Sequence, residues 1–163
     1  MKTTAQPSCM AGFTLIEVLV VVVLLGVLAT LIVPSFAGHT DNAEQIAFAT
    51  DVKVFRNAAL VYMAKTEAYL EDSPSGQCPA GWEDYIDVDR WTSPTPIGGL
   101  WDFELDSFGI KSAFGVHFSG GNGANPGDVY MQKIDAILDD GDLATGVFQK
   151  IAADRYYYII EEL

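Results

Sequence analysis

Residues 9–34 read CMAGFTLIEVLVVVVLLGVLATLIVP, the most apolar stretch of the chain. From Phe13 to Val33 there are 21 residues, and Glu17 carries the one charge among them. At about 1.5 Å of rise per residue, a helix of that length measures roughly 31 Å, which matches a hydrocarbon core of about 30 Å. The segment is expected to span a bilayer. A charged side chain inside such a span costs on the order of 2.5–3.5 kcal/mol, less near an end, and is normally paired and functional. No Lys, Arg or His lies within residues 13–33. The partner of Glu17 must be solvent, another chain or a charge created by processing.

Composition sets further bounds. The 163 residues make room for one domain behind an N-terminal element. With 22 acidic residues against 9 basic ones, the formal net charge is −13. Nucleic-acid binding draws its affinity from Lys and Arg that neutralise phosphates. The basic residues here are scattered and form no patch, so nucleic acid is not an expected direct partner. Cys9 and Cys78 bracket the apolar segment. Loss of the first twelve residues would leave Cys78 alone, and a lone thiol reads as a small apolar residue.

Past the span the pattern turns one-sided. Phe48, Val52, Phe55, Ala59, Tyr62 and Tyr69 follow helical steps along one face, while Glu44, Lys53, Asn57 and Glu67 fall off it. The helical pattern stops at EDSPSGQCPAG, where Ser, Pro and Gly cluster. Pro34 stands at the junction of the two patterns and cannot donate to the carbonyl four residues back. One long helix with a membrane half and a core-packing half is therefore expected.

The remainder reads as a loop-rich α+β head. GWEDYIDVDRWTSPTPIGG carries too many Pro and Gly for regular structure and is expected as an ordered loop. LWDFELDSF alternates apolar and acidic residues in the manner of a half-buried strand. KSAFGVHFS is its antiparallel partner, with Phe108, Gly109 and Ile110 near the turn. GGNGANPGD is a loop, and Met131, Ile134, Ile137 and Leu138 mark a short amphipathic helix after it. GVFQKI and RYYYIIEEL flank AAD as a terminal hairpin.

GFTLIEVLVVVVLLGVLATLIVP resembles the N-terminal signature of type IV pilins and type II secretion pseudopilins. The likeness rests on Gly12, Phe13, the Thr-Leu-Ile-Glu run ending at Glu17, the apolar span and Pro34. TPIGGLWDFE and LDDGDLATGVFQK are similar to pieces of pilin-like heads. The resemblance implies a pilin-like α+β fold: a long N-terminal helix packed on a small antiparallel sheet. It divides the chain into a leader at residues 1–12, a transmembrane and assembly helix at 13–34, an amphipathic half-helix at 35–72 and a globular head at 73–163. It implies cleavage between Gly12 and Phe13 by a membrane prepilin peptidase, with N-methylation of Phe13. The new amine at Phe13 would then be the partner of Glu17 in assembly, because either charge alone in lipid is costly and a matched stagger is favoured. Other implied partners are identical or related subunits, the inner-membrane assembly platform and membrane lipid. The implied location is the bacterial inner membrane with the head in the periplasm, followed by a fibre. The leader departs from the family pattern, since it carries only Lys2 and has Ala11 before Gly12.

An ordinary secretory signal could end at the small residues Ser35 to Ala37, but its apolar region would usually be 7–15 residues, and Glu17 would serve nothing in it. A membrane-anchored module that never polymerises would not need Glu17 either. Asp139, Asp140 and Asp142 around Gly141 offer hard oxygen ligands of the kind calcium takes. Three acids alone do not complete six to eight ligands, and a solvated turn is the simpler expectation. No cofactor is otherwise implied. His39 and His117 sit in no metal spacing, and no Gly-x-Ser-x-Gly elbow or phosphate loop occurs, so no enzyme is expected. The reading is a structural fibre subunit. A type II secretion pseudopilin is preferred over a type IV pilin for adhesion, motility or DNA uptake, on the short terminal hairpin, the acidic loop and the lack of a disulfide.

Overall fold

The computed structural model describes residues 13–163, with the backbone alone for residues 31–39. The leader, Gly12 and Cys9 lie outside the described residues. The chain divides into two compact units, residues up to Thr40 and Asp41–Leu163. Helix α1 runs Leu15–Thr66 and includes Gly26 and Pro34.

In the first unit, the described apolar side chains are uncovered. Leu15 is 84% exposed, and even Val20 keeps 49% of its surface. Among the described residues no helix is long and apolar enough to cross a membrane. The span expected over residues 13–34 continues into residues whose side chains are not described.

In the second unit, α1 presents Gln45, Phe48, Ala49, Val52, Phe55, Ala58 and Ala59 to the core, all buried. The face inferred from helical spacing is thus the packed one as far as Ala59, and Tyr62 lies at its margin. The helix ends earlier than its pattern. Glu67 takes a left-handed φ of 55°, its N–H donates to Met63 O at 2.9 Å, and the Thr66 hydroxyl accepts from Ala68 N at 3.3 Å. Tyr69 therefore leaves the helix, and its hydroxyl donates to Glu161 on the sheet.

The sheet has four strands, β1 (Leu100–Ser107), β2 (Ile110–His117), β3 (Phe148–Ala152) and β4 (Arg155–Glu162), in the order β1-β2-β4-β3. All neighbours are antiparallel. Both hairpins appear where alternation and turn residues place them. The chain crosses over between them through α3 (Asp128–Leu138), so β4 pairs with β2 and the two hairpins form one sheet. The loop expected around residues 81–99 contains a five-residue helix, α2 (Val88–Thr92), capped by the Asp87 carboxylate accepting from Arg90 N at 3.3 Å.

Period-two alternation splits the strands cleanly. Trp101, Phe103, Phe114, Val116, Tyr156 and Phe148 face α1 in the main core, whereas Ala113, Tyr157 and Ile159 form a small second cluster on the other face. Aromatic rings dominate the main core. Phe48 stacks on Trp101 at 5.0 Å, and Phe55 meets Trp101 edge-on at 4.9 Å. Trp91 of α2 closes the cluster, donating its indole N–H to Gln77 O at 2.7 Å. The salt bridge from Arg90 to buried Asp51 ties α2 to α1. Cys78 is a free thiol packed against this core.

Left-handed backbone at a residue with a Cβ costs roughly 1–2 kcal/mol, and glycine is the usual occupant after a helix end. Glu67→Gly is expected to stabilise the head by roughly 0.5–1 kcal/mol after the entropy of glycine is counted. A higher urea midpoint at unchanged m would show it.

Candidate functional site

The first site is the N-terminus of α1. Thr14 and Glu17 form a capping box, the S/T-x-x-E arrangement in which residue and backbone satisfy each other. The Glu17 Oε2 accepts from Thr14 N at 2.8 Å and from the Thr14 hydroxyl at 2.6 Å. Glu17 N donates back to Thr14 Oγ1 at 3.3 Å. The carboxylate thus has local partners inside the subunit, which sequence reading did not supply although Thr-Leu-Ile-Glu spells the box. Phe13 is 83% exposed at the first described position. Pro34 lies inside α1, and its side chain is outside the described residues.

The second site is the acidic loop after α3. The structure brings Asp139 and Asp140 together with Asp135, one carboxylate oxygen from each lying within 4.8 Å of the other two. Asp142 is not part of this group; its Oδ1 accepts from Ala144 N at 3.1 Å and shapes the turn. Asp140 Oδ1 accepts from Asp142 N at 2.9 Å and its Oδ2 from the Thr145 hydroxyl at 3.0 Å. The backbone N–H of Asp142, followed by the Thr145 hydroxyl, holds the Asp140 carboxyl below the usual range. Asp139 accepts from Val147 N across Gly146, where any Cβ would run into its carboxylate.

Asp135 is the residue that sequence reading missed. It is fully buried, and no hydrogen bond of full geometry reaches either carboxylate oxygen among the described residues, although the Gly141 N–H lies near enough to draw its carboxyl down. Its signal was an acid on an apolar stripe: Met131, Ile134, Asp135 and Leu138 follow helical spacing on α3. Ile137, expected on that stripe, is instead 40% exposed. Burial, then the charges of Asp140 and Asp139, push the Asp135 carboxyl up to about 6. The loop also guards the free edge of β3. Lys150 N donates to Leu143 O at 2.9 Å, so one edge N–H of the outer strand is satisfied from the loop.

A third polar cluster lies on the outer face of the sheet. Arg155 of β4 reaches over β2 to Asp102 and Glu104 of β1. Gly115 lets β4 approach β2 closely: a Cβ there would collide with Tyr156 O and come within 2.6 Å of Tyr157 Cα. The Tyr157 hydroxyl donates to Asp102. Burial raises both Asp102 and Glu104; the Tyr157 hydroxyl and then the Arg155 guanidinium pull Asp102 back, and Arg155 pulls Glu104 back. His117, at the end of β2, lies 2.7 Å from the Ser75 hydroxyl through Nδ1 and 3.2 Å from Asp154 through Nε2. The ring thus lies between the Ser75 hydroxyl and the Asp154 carboxylate, with Asp102 Oδ2 3.6 Å from Nδ1. The neighbouring Gly76 N–H is spent on Trp101 O at 2.7 Å. This triad-like set therefore pins residues 73–76 along the edge of β1, where Ser73 also bridges Phe103. A cavity of about 300 Å³ beside it is lined by Asp72, Ser75, Asp102, Glu104 and Arg155.

The amino-acid sequence is similar to that of known proteins. The family model described as the prokaryotic N-terminal methylation motif matches residues 8–33. A type II secretion system core protein G of Vibrio cholerae is 31% identical over 126 residues, covering 72% of this chain and 84% of that protein. The protein of the same name from Pseudomonas aeruginosa is 31% identical over 132 residues, covering 72% of this chain and 87% of its own. The chain belongs to the type II secretion core protein G family. The Aeromonas hydrophila core protein G aligns over 59 residues at 41% identity, covering 36% of this chain and 41% of its own. No solved structure matches. The core protein G likeness agrees with the pilin-like α+β fold described above.

A carboxyl raised by folding favours the folded state when protonated. In the cation-free protein the Asp135 contribution is complete below the unfolded value of about 4, and is lost as pH rises through about 6. Denaturation of the cation-free chain should therefore show stability falling across that window. Asp135→Asn should flatten the fall, a difference of roughly 2–3 kcal/mol at neutral pH.

Proposed function

We infer that the chain is a structural subunit of a type II secretion pseudopilus, cut by a prepilin peptidase and polymerised into a helical fibre for protein secretion. The observation that carries this is the coincidence, on one helix, of the Glu17 capping box and a run of apolar side chains that the chain itself leaves uncovered. Such a surface needs lipid or other apolar helices around it. The membership in the core protein G family and the methylation-motif match support the same reading. Cleavage falls between Gly12 and Phe13, Phe13 is N-methylated, and its amine meets the Glu17 carboxylate of a neighbour. Before assembly the subunit sits in the inner membrane through residues 13–34, with the head in the periplasm. An assembly platform in that membrane extracts it. The role is structural, with no chemistry performed on a substrate.

Intact-mass and N-terminal analysis of the protein recovered from membranes tests this. A chain beginning at N-methyl-Phe13 is expected; one beginning at Met1 or Gly38 overturns the fibre reading. Glu17→Gln keeps the shape and the acceptor oxygen but removes the charge. It is expected to leave cleavage intact and to reduce fibre assembly severalfold, read as sheared fibre per cell.

The acidic loop takes a calcium ion. The burial of Asp135 without a full hydrogen bond supports this, because an ionised carboxylate is normally buried only when paired or bound to metal. Asp135, Asp139 and Asp140 would hold the ion through carboxylate oxygens, with loop carbonyls and water completing the shell that calcium needs. Its role is to neutralise the three acids and fix the loop against β3. At free calcium about 100-fold above the dissociation constant, stability should rise by about 2.7 kcal/mol. The gain should vanish with a calcium chelator and in Asp135→Asn; an equal gain in that variant would remove the assignment.

A further inference from the structure

The glycine-rich segment GGNGANPGD, between β2 and α3, takes no part in either site. We infer that Asn122–Gly123 within it is a site of spontaneous covalent rearrangement, in which Asn122 deamidates through a cyclic imide to isoaspartate and aspartate. Both residues are exposed. The Asn122 side-chain amide and the Gly123 N–H have no hydrogen-bond partner among the described residues. Gly123 has φ of 109°, a region open to residues without a Cβ, so no side chain shields the attacking nitrogen.

The step balances without redox. With a buffer base or hydroxide removing its proton, Gly123 N attacks Asn122 Cγ. The new N–Cγ bond forms as the Cγ–Nδ2 bond breaks, and Nδ2 leaves as ammonia. Water then opens the imide. Addition at the main-chain carbonyl gives isoaspartate, and addition at Cγ gives aspartate. Either product adds one negative charge.

The chemistry separates this asparagine from the other three in the chain. Asn42 and Asn57 lie within α1, where the following N–H groups belong to the helix. Asn125 precedes Pro126, which has no N–H to attack. Its amide is also held, donating to Ala153 O at 3.0 Å and accepting from Gly127 N at 2.9 Å.

The structure also assigns a consequence. Asn122 O accepts from Gly99 N at 2.5 Å, directly before β1. Gly123 packs so closely that a Cβ on it would lie 3.1 Å from Gly99 N and 3.2 Å from Gly98 Cα. Isoaspartate lengthens the main chain by a methylene at this contact, and the start of β1 loosens.

The test holds the full-length protein, folded in detergent micelles, in mildly alkaline and mildly acidic buffer. Peptide mass spectrometry and methyl transfer by an isoaspartate-specific methyltransferase report the product. A gain of a single dalton confined to the peptide bearing Asn122 is expected, severalfold faster in alkaline buffer and absent in Asn122→Gln. Amide exchange at Gly99 and Leu100 should quicken in the isoaspartate fraction. The inference is overturned if the folded chain shows no gain while the urea-unfolded chain does, or if Asn42 and Asn57 convert as fast. Unchanged exchange at Gly99 would overturn the loosening of β1.

Discussion

Phe55 is the contact on which the head depends. Its ring meets Trp101 at 4.9 Å, Trp91 at 5.0 Å and Trp82 at 5.9 Å. One helical side chain thereby joins α1 to the sheet, to α2 and to the loop before α2. Aromatic pairs contribute about 0.5–1.5 kcal/mol each beyond their buried area, so a cluster of this kind compensates for a head with long loops and few regular elements. It also explains why a segment dense in Pro and Gly is ordered. Trp82 anchors its start and Trp91 its middle, and the Arg90 bridge to Asp51 fixes it laterally.

The sheet that receives Phe55 is held from its other face by polar groups. Arg155 links β4 to Asp102 and Glu104 of β1, so the order β1-β2-β4-β3 is fastened across β2. Both free edges are then covered by the chain. Residues 73–76 run along β1 and the acidic loop runs along β3. A fibre subunit has reason to close its strand edges, since open edges pair indiscriminately. The acidic loop thus couples any ion it holds to the protection of β3 as well as to the local charge.

The long-range frame was legible because its signals are periodic. Helical spacing gave Phe48, Val52, Phe55 and Ala59, and alternation gave both hairpins with the Phe108–Gly109 turn between the first pair. What sequence did not reveal depends on contacts between distant segments. The β2–β4 pairing needs two hairpins to meet, and α2 is only five residues long, sustained by Trp91 in the core. Tyr69 kept the helical rhythm by coincidence, whereas the left-handed Glu67 ended the helix before it. Asp139 and Asp140 were visible as ligand-type residues, but Asp135 was hidden as one acid among apolar neighbours. Only its burial without a full hydrogen bond distinguishes it from a solvated helix residue.

Glu17 shows how one carboxylate serves both the separate subunit and the proposed fibre. Both Thr14 donors fall on the same oxygen, Oε2, and a carboxylate has about four lone-pair sites over its two oxygens. The box therefore satisfies the helix N-terminus while leaving Oε1 to receive a neighbouring amine. Capping and pairing need not compete. A subunit would enter the fibre with Glu17 already oriented by Thr14, and less side-chain freedom would be lost when the second partner arrives. The same orientation sharpens the stagger, because an amine displaced by one helical turn would meet apolar side chains instead of Oε1, leaving two charges unpaired in a medium where each is costly.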